Sequence, residues 1–255
     1  MQKLGEQLVR VLGRRLINAS PSQDLKLPSE QDVCKEFSVS RTVAREAMGT
    51  LESLDLITVS QGRSATRRPE AEWDYLNPLI LELHSNPKKV RRILADLHQV
   101  RLLLEPEIAA RAAQLPPAEF LDRLSSTVTA MKASLHDPDC YLKHDLAFHM
   151  ELARACDNLV LSRIVFSSRG LLTASRRVTN LIPGGLPIAQ AGHEKIYRSV
   201  VRADPSAARL AMTEHLEFAS KAWTGGDIPF GVTTTASGGG APKAVTDGGA
   251  SRNGP

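Results

Sequence analysis

The chain has 255 residues, of which 42% are hydrophobic and 4% aromatic, enough apolar material for one large core or two modest ones. Its net charge of +4 permits binding to nucleic acid without requiring it. No apolar run approaches the roughly 20 residues that span a bilayer, and the N-terminus lacks the apolar segment of a signal peptide. The three cysteines lack the spacing typical of metal sites. We therefore expect a cytoplasmic protein with reduced thiols and no membrane partner.

The first 68 residues predict a winged helix-turn-helix. Apolar residues recur at helical spacing from Leu4 to Ile17 and indicate a first helix. Two more helices are expected to begin after Ser29 and Ser40, because a serine before a helix can accept a hydrogen bond from its free N–H groups. Residues 56–67, with a glycine in the turn, predict a small hairpin. Three helices followed by a hairpin form a winged helix.

The third predicted helix carries the arginines that we expect to read DNA. Arg41 and Arg45 are four positions apart and share a helix face, where arginine forks can bind guanine edges. Arg67 and Arg68 would flank the groove from the wing. The simpler interpretation is that Arg41 and Arg45 pair with glutamates such as Glu46 or Glu52 on a solvent-exposed face. The residues predicted to contact DNA are Ser29, Gln31, Ser40, Arg41, Thr42, Arg45, Gly62 and Arg63.

The rest of the chain divides into a connector, a helical domain and a tail. Residues 69–87 predict a connector whose large apolar residues, such as Trp73, must pack against something. From 88 to 223 the pattern is almost wholly helical, with breaks that separate about six helices, and short connections indicate an antiparallel bundle. Residues 224–255 are rich in glycine, alanine and threonine, which predicts a disordered tail. The predicted fold class is mainly α, a winged helix-turn-helix plus an all-helical antiparallel bundle.

Several motifs resemble those of the GntR superfamily of bacterial transcription regulators, in the FadR-type branch with an all-helical FCD effector domain. In the first domain the matching segments are Leu27-Pro28-Ser29-Glu30, Val39-Ser40-Arg41-Thr42, Arg45-Glu46-Ala47-Met48 and Leu51-Glu52. In the second they are Val100-Arg101, Leu104-Glu105-Pro106-Glu107, Asp145, Phe148-His149, Asn158, His193 and His215. The chain departs from the family pattern at Gln31, Asp55 and Ser64. The resemblance implies a dimeric DNA-binding regulator, a repressor, on a palindromic operator of double-stranded DNA.

The same resemblance implies a metal site. Asp145 and His149 are four positions apart and lie on one helix face, whereas His193 and His215 belong to later helices. One carboxylate and three imidazoles suit a divalent ion of the Zn, Ni or Mn class. By spacing alone, four polar residues spread over about 70 positions would be unrelated surface groups.

An effector site is expected beside the ion. Arg101 lies mid-helix in an apolar stretch, and a guanidinium facing a bundle interior needs an anion. In the regulators that this chain resembles, the matching arginine faces the effector acid; the alternative is an ion pair with Glu105. Asn158 is predicted to cap a helix and face the pocket, and Arg176 and Arg177 are further candidates. The hypothesis is a small carboxylate effector, with sugar acids among the candidates because the connector resembles that of sugar-acid-responsive members.

Two other function classes compete with the regulator. A metal-dependent hydrolase would use the Asp145 and histidine set to hold a catalytic ion. The sequence has no His-Glu-x-x-His motif and no obvious general base beyond Glu151 or Glu194. A purely architectural DNA binder would not need a second domain with polar groups facing inward. We therefore predict a regulator and not an enzyme. The remaining histidines, among them His98, are predicted to lie in linker or surface positions.

Overall fold

The computed structural model describes residues 2–20, 27–59, 65–180 and 182–224. Up to residue 67 the described chain has three helices and a two-stranded antiparallel hairpin, in which Ile57 pairs with Arg67 and Thr58 with Thr66. These elements are α1 (Gln2–Asn18), α2 (Glu30–Phe37), α3 (Arg41–Ser53), β1 (Ile57–Thr58) and β2 (Thr66–Arg67). Gly62 and Arg63 of the wing lie outside the described residues, so their predicted DNA contacts stay predictions.

Serine caps fix the start of both helices in the helix-turn-helix, as predicted. The Ser29 side chain accepts a hydrogen bond from the N–H of Asp32 at 3.3 Å, and the Asp32 carboxylate accepts one from the N–H of Ser29 at 3.0 Å, which completes a capping box. Ser40 accepts from the N–H of Val43 at 3.3 Å. The caps set where α2 and α3 begin, and so determine which residues of α3 face outward.

The connector is ordered and belongs partly to the first core. It contains a short 3-10 helix (Glu70–Glu72) and α4 (Pro78–Leu83). Trp73 is buried, and its indole N–H donates to the carbonyl oxygen of Arg68 at 3.1 Å. Ile80 and Leu83 are fully buried in the core formed by α1, α2 and α3. The expectation that the connector packs against a domain is therefore confirmed.

Two close approaches hold α4 between the two halves of the protein. A Cβ added at Gly13 of α1 would lie 2.7 Å from Cδ1 of Leu83, and one added at Gly170 would lie 2.6 Å from Cγ of Pro78. Both distances are below van der Waals contact, so a side chain at either glycine would force a shift. Gly170 belongs to a helix of the second domain, so α4 links the first core to that helix.

The second domain has seven helices in the described residues, one more than the six or so predicted. They are α5 (Pro87–Ala112), α6 (Ala118–Ala133), α7 (Pro138–Ala155), α8 (Leu159–Ser167), α9 (Arg169–Thr179), α10 (Gly185–Val201) and α11 (Pro205–Thr224). The extra boundary falls at Ser168, whose side chain donates to the carbonyl of Val165 at 2.9 Å. No proline or Asn/Asp turn marks this boundary, so the helical pattern continues across it in the sequence.

The mainly α fold class is confirmed, with a helix-turn-helix at the N-terminus and a helical second domain. A second hydrophobic core fills that domain, where α5 packs against α11, α7 and α9, and α10 packs against α11. None of the helices in the described part of the chain combines the length and apolar character needed to cross a membrane. The tail beyond residue 224 lies outside the described residues, and its predicted disorder stays a prediction, as do the domain boundaries.

Candidate metal centre and DNA interface

The four predicted metal ligands come together in the middle of the second domain. Asp145 and His149 lie on α7, His193 on α10 and His215 on α11. One ligand atom from each lies within 4.8 Å of all the others. The first three residues are buried and His215 is half-buried. Three helices far apart in the chain therefore converge on one polar cluster.

The spacing of the donor atoms fits a single ion. Oδ1 of Asp145 lies 2.8 Å from Nε2 of His193 and 3.5 Å from Nε2 of His149, and the two Nε2 atoms are 3.2 Å apart. Bonds of about 2.0–2.2 Å to one ion would place neighbouring ligand atoms about 3.0–3.5 Å apart. The carboxylate and imidazole donors also suit the Zn, Ni or Mn class. The residues present therefore fit a divalent cation.

Two further buried residues orient the imidazole rings. Nδ1 of His149 lies 2.6 Å from Oε2 of Glu105 on α5, and Nδ1 of His193 lies 3.2 Å from the hydroxyl oxygen of Tyr141. A carboxylate beside Nδ1 favours the tautomer with the proton there, which leaves the Nε2 lone pair of His149 free for an ion. The sequence contains a signal for Tyr141, since it precedes Asp145 by four residues on the same helix face.

The pKa values of these groups favour the forms that bind cations. Burial raises the pKa of Asp145, but the charge of Arg176 and hydrogen bonds with both His149 and His193 outweigh burial and hold that pKa well below its usual range. Burial lowers the pKa of His193 despite its hydrogen bond to Asp145, and burial also lowers that of His215. The carboxylate is thus ionised and these two imidazoles are neutral near pH 7, as metal binding requires.

Two arginines lie beside the cluster. The Nε of Arg101 donates to Glu105 at 2.7 Å, so the ion pair expected as the alternative is present. Arg176 on α9 forms an ion pair with Asp145 through its Nε. Burial and the neighbouring charge of Arg101 lower the pKa of Arg176, although Asp145 and Glu105 raise it. Both guanidinium groups line a small cavity of about 30 Å³ that also borders His215.

One histidine occupies another place than the sequence predicted, and one asparagine takes only part of its predicted role in the described residues. The interpretation of His98 as a linker or surface residue is wrong. It is 1% exposed on α5 and, within the described part of the chain, neither ring nitrogen has a hydrogen-bond partner. It precedes Arg101 by three positions and Glu105 by seven, a helical spacing that could have revealed its burial. Asn158 caps α8, as predicted, by accepting from the N–H groups of Val160 and Leu161. It is not among the residues that line the cavity beside His215, so its effector role stays a prediction.

A larger cavity, of about 590 Å³, is also lined by Arg101 and Glu105. Its lining is mainly apolar and comes from α5, α8, α9 and the connector. Connector residues at this cavity include Tyr75, whose hydroxyl donates to Glu70 at 2.9 Å. The Arg101–Glu105 pair therefore borders both the polar cluster and an apolar space that reaches the connector.

On the first domain, α3 presents an exposed face of polar residues. Arg41 and Thr42 are exposed, and Arg41 has no ion pair among the residues that the structure describes. The Arg45 side chain is 79% exposed and its Nε lies 3.5 Å from Glu30, a weak surface contact. Gln31 is also exposed, and Ser29 and Ser40 stand at the N-termini of α2 and α3, where phosphates are readily bound.

The two wing arginines with described positions are held by neighbours in the protein. Arg67 stacks on Trp73, with its guanidinium carbon 5.1 Å from the ring centroid. Arg68 pairs with Asp55 and with Glu72, the latter at 2.8 Å. Both arginines therefore have partners within the protein, and their place beside a DNA groove stays a prediction. The sequence signal was the unusual Asp55, which has a positive φ of 57° and supplies a carboxylate to Arg68.

Comparisons with known proteins agree with this architecture. Residues 4–66 match the family of bacterial regulatory proteins called gntR, and residues 96–218 match the FCD domain. The chain is 30% identical over 197 residues to the HTH-type transcriptional regulator LutR of Bacillus subtilis (strain 168). The aligned region covers 75% of this chain and 88% of LutR. It is 25% identical over 207 residues to the galactonate operon transcriptional repressor of Escherichia coli (strain K12). That alignment covers 81% of this chain and 90% of the repressor.

The fold also matches a solved structure, described as "Lar controls the expression of the Listeria monocytogenes agr system and mediates virulence", with a TM-score of 0.61. That match has 16% identity and covers 86% of this chain and 96% of the other. The hydrolase alternative is not supported, because the family and these relatives are transcription regulators. The chain therefore belongs to the GntR family of bacterial transcription regulators, in the branch that carries an FCD domain, and it is not an enzyme.

Proposed function

We propose that this regulator is a repressor whose affinity for its operator is controlled by a small organic acid bound beside a divalent ion of the Zn, Ni or Mn class. The observation that carries the proposal is the buried convergence of Asp145, His149, His193 and His215 next to two guanidinium groups. A surface cluster without function would not need three helices to bring these ligands together inside a core.

The residues of the cluster have distinct proposed roles. Asp145, His149, His193 and His215 hold the ion, which when bound supplies a positive charge and open positions for an oxygen ligand. Glu105 holds His149 in its metal-binding tautomer and also holds Arg101. The relatives include a repressor of a galactonate operon, which supports sugar acids as candidate effectors.

Transmission to DNA is proposed to run through α9 and α4. The C-terminal end of α9 lines the small cavity, and its N-terminal end contacts Pro78 of α4 through Gly170. The opposite face of α4 is fixed in the first core by Ile80 and Leu83. A shift of α9 on effector binding would therefore displace α4 and, with it, the placement of α3. This is a physical contact path, and it requires two arrangements of α9 with different effector affinities.

The proposed homodimer would use the apolar face formed by α5 and α8. Val100 and Ile164 are partly exposed and line the mouth of the same large cavity. Leu103 and Val160, one helical turn away on the same two helices, are 76% and 70% exposed. A contiguous apolar patch of this kind is typical of a protein interface. A second copy with the same face would cover it isologously and would space two α3 helices for a palindrome.

The proposal is tested by operator binding of the full chain. Fluorescence anisotropy with DNA from upstream of the gene should give tight, salt-dependent binding that changes on addition of one member of a panel of small carboxylic acids. Asp145→Asn should bind DNA normally but hold less metal, by elemental analysis, and lose the response to the acid. Asp139→Asn, on the exposed first turn of α7, is the matched control and should behave as wild type. Unchanged metal content in Asp145→Asn would rule out the assigned ligand set.

A further inference from the structure

One guanidinium group joins the two ends of the wing hairpin. Arg68 directly follows β2, and its Nε and Nη2 lie 2.9 and 2.8 Å from the same carboxylate oxygen of Glu72. Its Nη1 pairs with Asp55, which lies between α3 and β1. Glu72 belongs to the 3-10 helix of the connector. Arg68 therefore bridges the segment that enters the hairpin and the segment that leaves it.

Further contacts fix each strand of the wing from outside. The N–H of Val59, just after β1, donates to the carboxylate of Glu52 on α3 at 3.0 Å. On the other strand, the indole N–H of the buried Trp73 donates to the carbonyl oxygen of Arg68 at 3.1 Å, and the guanidinium of Arg67 stacks on that indole. The placement of the two strands relative to α3 is thus set by side chains of α3 and of the connector.

The backbone at Asp55 has a conformation that favours glycine. Its φ of 57° lies in the left-handed region, which glycine adopts freely and which is unfavourable for a residue with a side chain. A glycine would make this turn without strain but could not pair with Arg68. The chain therefore places a carboxylate where the backbone alone would favour glycine, and that carboxylate is used.

The charges of this cluster indicate that Arg68 acts within the protein and not on a phosphate. One guanidinium faces two carboxylates, so Arg68, Asp55 and Glu72 together carry a net negative charge. Negative charge in a DNA-binding domain repels the phosphate backbone. The side chain of Arg68 is 33% exposed and is engaged on both sides, an arrangement that holds geometry better than an isolated surface pair does.

We infer that Arg68 is a positioning residue for DNA binding, which acts through Asp55 and Glu72 by holding the wing in a fixed place beside α3. Members of this family bind operator DNA, so the inference needs neither the ion nor the effector of the proposed function. It predicts an effect of unusual sign. Loss of a carboxylate from a DNA-binding domain ordinarily strengthens binding through reduced repulsion, whereas neutralising Asp55 or Glu72 should weaken it, because the wing loses its placement.

The test is fluorescence anisotropy of the full chain with duplexes that the wild-type protein selects from a random pool. We expect Asp55→Asn and Glu72→Gln each to raise the Kd about three- to tenfold, and Arg68→Gln to raise it about tenfold or more. Arg68→Lys should raise it several-fold, because an ammonium can replace a guanidinium on a phosphate but not as a fork between carboxylates. Glu36→Gln is the matched control. It removes a carboxylate from an exposed pair with Arg15 in the same domain, and it should bind as tightly as wild type or slightly more tightly.

Footprinting separates a displaced wing from a destabilised domain. Dimethyl sulfate reports the protection of guanine N7 by α3 in the major groove, and hydroxyl radicals report the protection of the flanking DNA backbone. With saturating Asp55→Asn the guanine protection should persist and the flanking protection should be lost. Asp55→Gly is the second variant, because it lacks the carboxylate but relieves the left-handed backbone, and it should lose the same protection.

Several outcomes would overturn the inference. Carboxylate variants that bind as tightly as wild type, with its full footprint, would show that the wing does not need this cluster. A raised Kd in Arg68→Gln alone would show that Arg68 contacts DNA itself. Loss of both kinds of protection in equal proportion would assign the cluster to the stability of the domain. Each of these results leaves the proposed control by an acid intact, since that control is measured as the change in Kd on addition of the acid. Failure of the wild-type protein to select any duplex would overturn both.

Discussion

Glu105 joins the two functional parts of the candidate site, because it contacts both His149 and Arg101. Burial raises its pKa, but Arg101, His149 and Arg176 outweigh burial and hold that pKa well below its usual range, so Glu105 stays ionised. Glu105→Gln should therefore weaken metal binding by about 10–100-fold, the effect usually seen when a partner of a metal-binding histidine is lost. Competition with a fluorescent chelator measures this. Glu107→Gln, two residues away and half-buried in pairs with Arg111 and Arg209, should leave the metal affinity unchanged.

The lowered pKa of His98 predicts that the free energy of unfolding depends on pH. Burial lowers its pKa to about 4, helped by Arg101 and opposed by Glu105. In the unfolded chain the value is near 6.5. Between these values the unfolded state binds more protons, so the free energy of unfolding should fall as pH drops from about 6.5 to about 4.

The measurement for His98 is urea unfolding at several pH values. The free energy of unfolding of His98→Leu should decline less steeply than that of wild type over that pH range, because the variant lacks the imidazole that takes up a proton on unfolding. His193 and His215 also have lowered pKa values, so only the difference between variant and wild type is assigned to His98. His136→Leu, at an exposed position, is the control. Equal slopes for His98→Leu and wild type would contradict the prediction.

At the scale of elements, α9 is the helix through which the two domains are expected to communicate. Gly170→Ala would place a methyl group 2.6 Å from Cγ of Pro78 and force α9 and α4 apart. We expect a loss of about 1–3 kcal/mol in unfolding free energy from overpacking. We also expect a smaller ratio between the operator Kd values with and without the acid, measured by anisotropy. Gly5→Ala, where nothing lies within 4 Å of the added methyl, should be neutral or slightly stabilising. A wild-type ratio in Gly170→Ala would exclude this contact as the coupling path.

Residue patterns within a few positions predict where the helices begin, but they predict only partly which distant residues meet in the fold. The caps at Ser29 and Ser40 and the spacing of Asp145 and His149 follow from chemistry within four residues, and the structure contains them. That His193 and His215 meet these residues depends on how α10 and α11 pack, which spacing alone does not encode. Without the family resemblance, the metal cluster would not have been predicted.

The same limit applies to the buried arginines, because the sequence does not show which partner each of them meets. Arg101 sits in an apolar stretch, which is compatible both with an effector role and with an ion pair to Glu105; the ion pair is present, and the effector role stays a prediction. Arg176 lies on the buried face of α9 with Leu172 four positions before it, a pattern that marks a buried charge but not its ligand. The boundary at Ser168 is not predicted because no proline or Asn/Asp turn marks it and the apolar pattern continues past it.

At the scale of the whole molecule, the proposed coupling between the effector site and the DNA-reading helix would depend on the proposed homodimer. Recognition of a palindrome needs two α3 helices in fixed positions, and each α3 is attached through α4 to one effector domain. If the effector domains pair through α5 and α8, the large cavity of about 590 Å³ lies at the interface and its connector residues lie beside the partner copy. The same face then serves both assembly and the transmission of the effector signal.

Leu103→Glu tests this assembly directly. Leu103 is 76% exposed on α5, so a glutamate costs the free subunit little, but a charge buried in an apolar dimer interface would be strongly unfavourable. We expect sedimentation velocity to show a monomer at concentrations where wild type is a dimer, with operator affinity reduced at least tenfold because half-sites then bind independently. Leu210→Glu, at a leucine of α11 that is 57% exposed, should remain dimeric and bind the operator as wild type does. A dimeric Leu103→Glu protein with wild-type operator affinity would place the interface elsewhere, and a loss of dimer in Leu210→Glu alone would place it on α11.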